Sequence, residues 1–322
     1  MRSNISRIID VNLNRATEGL RVVEEICRFV LEDQRLTVTA KKLRGQLSRV
    51  VPHSLLASRD SAGDVGREPY TRDEGRRAKV EDIFKANMKR AQEAVRVLEE
   101  FAKLLSPVYG RKFKAIRFKL YELEKELAPR VSKAEKLDFS SYLIIDPSVH
   151  KEPLKLLRSG VKIVQLRAKD LNTTDYLRLA QKIGRAARAK GITFLLNDHW
   201  RLVKQAGADG VHLGWEDLKG RSMAGIKKAL GRDKIIGLSA QSLSEAGKAA
   251  RLGPDYIGFG PVFATPLKGQ VKPTGLKALG RAVKLVRNPI VAIGGINKQN
   301  YRQVLATGCS RYAVIRAAGA FL

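Results

Sequence analysis

A chain of 322 residues with 61 Lys and Arg against 32 Asp and Glu carries a formal charge of +29, more than solubility requires, so an acidic substrate or partner is expected. With 44% hydrophobic residues and no Pro- or Ser-rich tract, the chain has apolar surface for two packed domains and reads as folded and globular. No run of eighteen apolar residues occurs and MRSNISRIIDVNLNR lacks the apolar core of a signal peptide, which argues against a membrane span and for a soluble, cytoplasmic protein.

The first 135 residues contain an internal repeat. NLNRATEGLRVVEEICRF (12–29) aligns without gaps to NMKRAQEAVRVLEEFAKL (87–104), an offset of 75 residues. Both copies have good helix formers, no proline and apolar residues at helical spacing, so each is predicted to be a helix. Each is followed by a further helical stretch, TAKKLRGQLSRV and GRKFKAIRFKLYELEKEL, giving a pseudo-twofold all-helical domain over residues 1–135. Cys27, in the first copy, and the distant Cys309 have no CxxC spacing and read as reduced structural thiols.

Within the repeat, Asn12, Arg15, Glu18 and Arg21, with Asn87, Arg90, Glu93 and Arg96, recur at three-residue intervals as a polar stripe. The stripe reads in two ways. It is an ion-pair network or oligomer seam, or it joins Arg59, Asp60, Asp64 and Gly66 of the aperiodic stretch 53–78 in a nucleotide or phosphate pocket.

From residue 142 the pattern changes. Eight short apolar runs alternate with helical or short polar segments: YLIID (142–146), KIVQLR (162–167), TFLLN (193–197), GVHLG (210–214), IIGLS (235–239), YIGFG (256–260), IVAIG (290–294) and YAVIR (312–316). Apolar on both faces, they are expected to be parallel strands covered by helices, which closes most simply as a (β/α)8 barrel over residues 136–322, an α/β fold. This part holds 32 Lys and Arg against 12 Asp and Glu, and is the main candidate for binding an anion.

In such a barrel the chemistry sits at the C-terminal strand ends. Those positions are Gln165, Arg167 and Lys169 after strand two, Asn197 and Asp198 after three, Asp217 after four, and Ser239 after five. Thr265 and Lys268 follow strand six, Gly294 and Gly295 strand seven, Ile315 and Arg316 strand eight. Cations, two glycines and two aspartates belong together if the ligand is a diphosphate carried with Mg²⁺, to which Asp198 and Asp217 offer hard oxygen ligands. His199 and His212 read as structural, and Trp215 as a rim residue.

VQLRAKD, LLNDHW, GADGVHLGWEDL, GLSAQS, GFGPVFATPLK and VAIGGI, in that order, resemble the motifs of thiamine-phosphate synthases and span essentially all of residues 137–322. The resemblance implies condensation of hydroxymethylpyrimidine diphosphate with thiazole phosphate to thiamine monophosphate, with loss of pyrophosphate and a dissociative mechanism. It implies that Gln165, Arg167, Lys169, Asn197, Ser239 and Lys268 bind the pyrimidine diphosphate and that Asp198 and Asp217 bind Mg²⁺. Thr265, Gly294, Gly295, Ile315 and Arg316 would hold the thiazole phosphate. Ala264 and Leu267 stand where the family often has Pro and Thr, and Arg316 where it commonly has Ser.

Residues 4–128 resemble the helical domain fused ahead of some bacterial synthases, to which a hydroxymethylpyrimidine-phosphate kinase activity is assigned. The resemblance implies ATP as a further ligand, although no GxxxxGK[ST] loop is present. An oligomerisation module is the alternative for this domain. A sequence-specific nucleic-acid binder is disfavoured by 6% aromatic residues and by basic residues dispersed over both domains.

Overall fold

The repeated sequence folds as two long helices laid against each other. In the computed structural model, which describes residues 2–52, 77–158, 160–266 and 271–317, helix α1 spans Arg2–Glu25, α2 Gln34–Leu47, α3 Val80–Phe101 and α4 Pro107–Lys136. The chain divides into two compact units, Met1–Glu135 and Lys136–Leu322. The stretch at 53–76, with Arg59, Asp60, Asp64 and Gly66, lies outside the described residues, as do Leu267 and Lys268.

In the helical unit α1 packs on α3, so the two repeat copies share one core in which Leu20, Val23, Phe84, Met88, Leu98, Phe113 and Leu120 are buried. The repeated asparagines behave alike: Asn12 Nδ2 donates to the Ile8 carbonyl at 2.9 Å, and Asn87 Nδ2 to that of Ile83 at 2.8 Å. The copies diverge at their ends, where α1 widens into a π-turn at Ile26–Val30 and α3 tightens into a 3-10 turn at Ala102–Leu104. Helix α2 starts where the Asp33 carboxylate caps the Leu36 N–H at 2.9 Å.

The α1–α3 contact is closest at Gly19, where a methyl group would stand 2.8 Å from the Asn87 carbonyl oxygen; the matching residue in the second copy is Ala94. Gly19→Ala is therefore expected to destabilise this unit by about 1–3 kcal/mol through overpacking. Gly45 in α2 has nothing near it, so Gly45→Ala should stabilise by about 0.5–1 kcal/mol. Denaturant midpoints of the two variants should move in opposite directions.

The second unit is a closed barrel of eight parallel strands in sequential order, with β8 returning to β1. The strands are β1 Ser141–Ile145, β2 Ile163–Leu166, β3 Thr193–Asn197, β4 Gly210–Leu213, β5 Ile235–Ala240, β6 Tyr256–Phe259, β7 Ile290–Ile293 and β8 Arg311–Val314. All eight predicted runs are strands. Tyr142, Ile144, Ile163, Leu195, Ile235, Tyr256, Val291 and Ala313 fill the barrel interior, while Leu143, Ile145, Val164, Phe194 and Leu196 join the layer beneath the helices. Burial on both faces explains why the runs are apolar throughout. The β1–β2 connection departs from a regular β/α alternation, carrying only a 3-10 turn at Pro153–Leu156 among the described residues. No helix of the described residues is long and apolar enough to cross a membrane.

Candidate active site

The side chains that line the mouth come from the last residues of the strands, as Ser239 does in β5, or from the loops that follow them, as Arg167, Asp198 and Asp217 do after β2, β3 and β4. Arg167, Lys169, Asp198, Asp217 and Ser239 line a single cavity of about 620 Å³ at the C-terminal end of the strands. Thr265, Gly294, Gly295, Ile315 and Arg316 line a neighbouring cavity of about 250 Å³, and Ile293 and Ile315 border both. Gln165 and Asn197 sit alongside, hydrogen-bonded to each other at 2.6 Å, with Gln165 buried.

Asp198 follows β3 with a left-handed φ of 64°, a conformation that Asp tolerates better than most residues. Its N–H is held by the His212 carbonyl of β4 at 2.9 Å. Asp217 sits in the 3-10 turn Glu216–Leu218, where Oδ2 accepts from the Gly214 N–H at 2.7 Å. Burial, and then the neighbouring Asp217 charge, push the Asp198 carboxyl well above the usual carboxylate range, while Lys169 and Arg167 oppose the shift. Asp198 and Asp217 line the same cavity and offer the hard carboxylate oxygens that a divalent cation takes.

Arg167 is held by a residue that the sequence did not single out. Asp146, just past β1 and only 2% exposed, accepts from the Arg167 guanidinium and from Ser148 Oγ at 2.7 Å. His150, in the loop after β1, places Nε2 3.0 Å from the Ile315 carbonyl and so ties that loop to the border of both cavities. The available signal was one acid closing an otherwise apolar run, YLIID.

Gly294 and Gly295 are required by backbone and packing together. Their φ values are 100° and 66°, and added methyl groups would stand 2.5 Å from Pro261 Cα and 2.5 Å from the Ala264 carbonyl oxygen. The loop after β6 presses onto them, with Val262 N–H bonded to Ile293 O at 2.8 Å and Phe263 N–H to Gly294 O at 3.0 Å. Arg316 is exposed and makes no ion pair among the described residues.

His199 lies against Tyr176 with ring centroids 4.1 Å apart and planes tilted by 49°, in keeping with a structural role. Trp215 is more than a rim residue: it is half-buried, packs on the barrel core and lines the larger cavity. His212 does more than fill space. Its Nδ1 lies 2.9 Å from Tyr256 Oη and its Nε2 2.9 Å from Ser239 Oγ, inside the barrel.

In the helical unit part of the polar stripe, Arg21, Glu93 and Arg96, is engaged in ion pairs with neighbouring residues. The buried Glu24 and Glu99, equivalent in the repeat, pair with Arg44 at 3.0 Å and Arg117 at 2.7 Å; Arg21 and Arg96 bridge to Glu25 and Glu100.

A family model described as thiamine monophosphate synthase matches residues 141–318, and one described as the ThiD2 family matches residues 7–126. The thiamine-phosphate synthase of Synechocystis sp. is 40% identical over 315 residues, covering 97% of this chain and 91% of that protein. That of Gloeobacter violaceus is 38% identical over 322 residues, covering 97% and 92%. Among solved structures, thiamine phosphate pyrophosphorylase from Pyrococcus furiosus is 34% identical with a TM-score of 0.50, over 56% of this chain and 87% of that one. Relatives aligned over both units, and motif residues gathered around one barrel mouth, lead to one conclusion: the chain belongs to the thiamine-phosphate synthase family of transferases.

Proposed function

We propose that the barrel joins hydroxymethylpyrimidine diphosphate to thiazole phosphate, forming thiamine monophosphate and releasing pyrophosphate. The observation that carries this reading is the pairing of Asp198 and Asp217 with Arg167 and Lys169 around one cavity, next to a second, glycine-lined one. Asp198 and Asp217 would hold Mg²⁺, which would supply positive charge against the diphosphate. Arg167, steadied by Asp146, and Lys169 hold the diphosphate oxygens as the carbon–oxygen bond to the pyrimidine methylene breaks. The thiazole nitrogen then bonds to that methylene carbon. Gln165, Asn197 and Ser239 orient the pyrimidine, Lys268 adds a cation toward its diphosphate, and Thr265, Gly294, Gly295, Ile315 and Arg316 receive the thiazole phosphate.

Full-length protein supplied with both substrates and Mg²⁺ should release pyrophosphate, and omitting thiazole phosphate should stop turnover. Release that ignores the second substrate would make the barrel a hydrolase instead. Arg316→Ala should raise KM for thiazole phosphate about tenfold with little change in kcat, because a charge-assisted contact made equally before and during reaction is lost. An unchanged KM would remove Arg316 from the phosphate site.

For the helical unit, the match over residues 7–126 supports phosphorylation of hydroxymethylpyrimidine phosphate by ATP, which would make the diphosphate that the barrel consumes. Full-length protein given hydroxymethylpyrimidine phosphate, ATP, thiazole phosphate and Mg²⁺ should then form thiamine monophosphate without added diphosphate. Failure there, with the barrel active on the diphosphate, would leave this unit as an oligomerisation module.

A further inference from the structure

Beneath the mouth, six side chains from six consecutive strands form one continuous hydrogen-bonded chain inside the barrel. Ser239 Oγ meets His212 Nε2 at 2.9 Å, His212 Nδ1 meets Tyr256 Oη at 2.9 Å, and Tyr256 Oη meets Tyr142 Oη at 3.0 Å. Tyr142 Oη donates to Gln165 Oε1 at 2.9 Å, and Gln165 Nε2 donates to Asn197 Oδ1 at 2.6 Å. Space for the chain is made by two glycines within strands: a methyl group at Gly237 would stand 2.2 Å from Tyr256 Cζ, and one at Gly258 2.8 Å from His212 Cε1.

Such a chain has a direction. A phenol carries one proton, and burial pushes both Tyr142 and Tyr256 well above the usual phenol range, so both keep it. The Tyr142 proton is spent on Gln165 Oε1, so Tyr256 must donate to Tyr142. The Tyr256 proton is then spent, so the bond from His212 requires a proton on Nδ1. With the proton there, neutral His212 offers a lone pair at Nε2, and Ser239 must donate to it.

We infer that Tyr142, Tyr256 and His212 are positioning residues that fix the hydrogen-bonding sense of the substrate contacts, holding His212 as its Nδ1–H tautomer and Ser239 as an acceptor toward the cavity. At the far end Gln165 occupies the Asn197 oxygen, so Asn197 offers its amide N–H groups. Ser239 lines the larger cavity and Asn197 directly precedes its lining residue Asp198, so the two are matched to a polar heteroaromatic ring that donates at Ser239 and accepts at Asn197. A ligand of reversed sense meets donor against donor at one end and acceptor against acceptor at the other, the mismatch that polar sites reject most strongly. The tautomer stands apart from the proposed reaction; only its consequence for turnover rests on that reading.

The test is nitrogen NMR of ligand-free, full-length protein carrying ¹⁵N-histidine, in which the two- and three-bond proton couplings identify the tautomer; the protein has four histidines, and His212→Gln assigns the signal. An Nδ1–H pattern is expected for His212. Tyr256→Phe, which keeps the ring and removes the acceptor, should move the signal toward Nε2–H and lower kcat/KM about tenfold, the loss of one buried hydrogen bond. Tyr142→Phe frees the Tyr256 hydroxyl and should move the signal the same way in part. A wild-type Nε2–H ring, a doubly protonated ring, or a tautomer indifferent to both substitutions would overturn the inference. If the protein released no pyrophosphate at all, the coupling pattern would still decide it, so the two failures are distinguishable.

Discussion

Replacing Asp198 or Asp217 by alanine is expected to lower pyrophosphate release by about a hundredfold to a thousandfold, the scale set by losing a preorganised electrostatic contact to a developing charge. Each variant should also lose about 1 kcal/mol of stability, since alanine tolerates the left-handed φ at 198 less well and at 217 leaves the Gly214 N–H without its acceptor, so activity is compared where the variant is folded. In metal-free protein burial and the Asp217 charge disfavour the Asp198 anion, so its carboxyl titrates above its ordinary range. A raised carboxyl binds a proton in the folded state that the unfolded chain has released, so it costs stability as pH rises from the ordinary carboxylate range through the raised value. Metal-free Asp198→Asn should thus match or exceed the parent in Tm at neutral pH and lose that advantage on acidification. Added Mg²⁺ should raise the Tm of the parent and not of the variant. Thermal scans at two pH values, with and without Mg²⁺, check both parts; a variant that loses Tm and still responds to Mg²⁺ would remove Asp198 from the metal site.

Gly237→Ala is expected to be among the most damaging single-methyl changes in the barrel. The added carbon would meet Tyr256 Cζ at 2.2 Å and His212 Nδ1 at 2.5 Å, both held by buried hydrogen bonds and by the neighbouring strands. Overpacking of this kind costs about 1–3 kcal/mol, or roughly 2–12 °C in Tm for a unit of this size. Activity at a temperature where the variant is folded should fall as well, because the methyl displaces the ring that presents Ser239. Gly247→Ala in the helix Leu243–Leu252 has nothing within 4 Å of the new methyl and serves as the control, with Tm unchanged or raised. Equal Tm for both variants would mean that the interior accommodates the methyl by a shift of Tyr256.

The fold was legible because barrel strands buried on both faces must be apolar throughout, and eight such runs mark themselves against a basic chain. Arg167, Asp198 and Ser239 were legible for the complementary reason: they stand at the ends of apolar runs where a parallel barrel opens to ligand, with Asp217 in the turn beyond β4. The repeat likewise marked α1 and α3, since a copied helical face leaves a copied pattern.

Asp146, His150 and the inner chain were decided only by tertiary structure. Asp146 reads as the last letter of a strand until β1 and β2 come side by side and set it under Arg167. His212 stands inside an apolar run, and periodicity cannot name its partners, because Tyr256 reaches it across β5 only after eight strands close and Gly237 leaves the gap. In the helical unit the Arg and Glu stripe was plain, yet the partners of the buried Glu24 and Glu99, Arg44 and Arg117, come from the following helices and are chosen by packing. Sequence determines what each segment must bury. Which polar groups then meet is decided when distant segments are brought within hydrogen-bonding distance, and a one-dimensional pattern does not encode that choice.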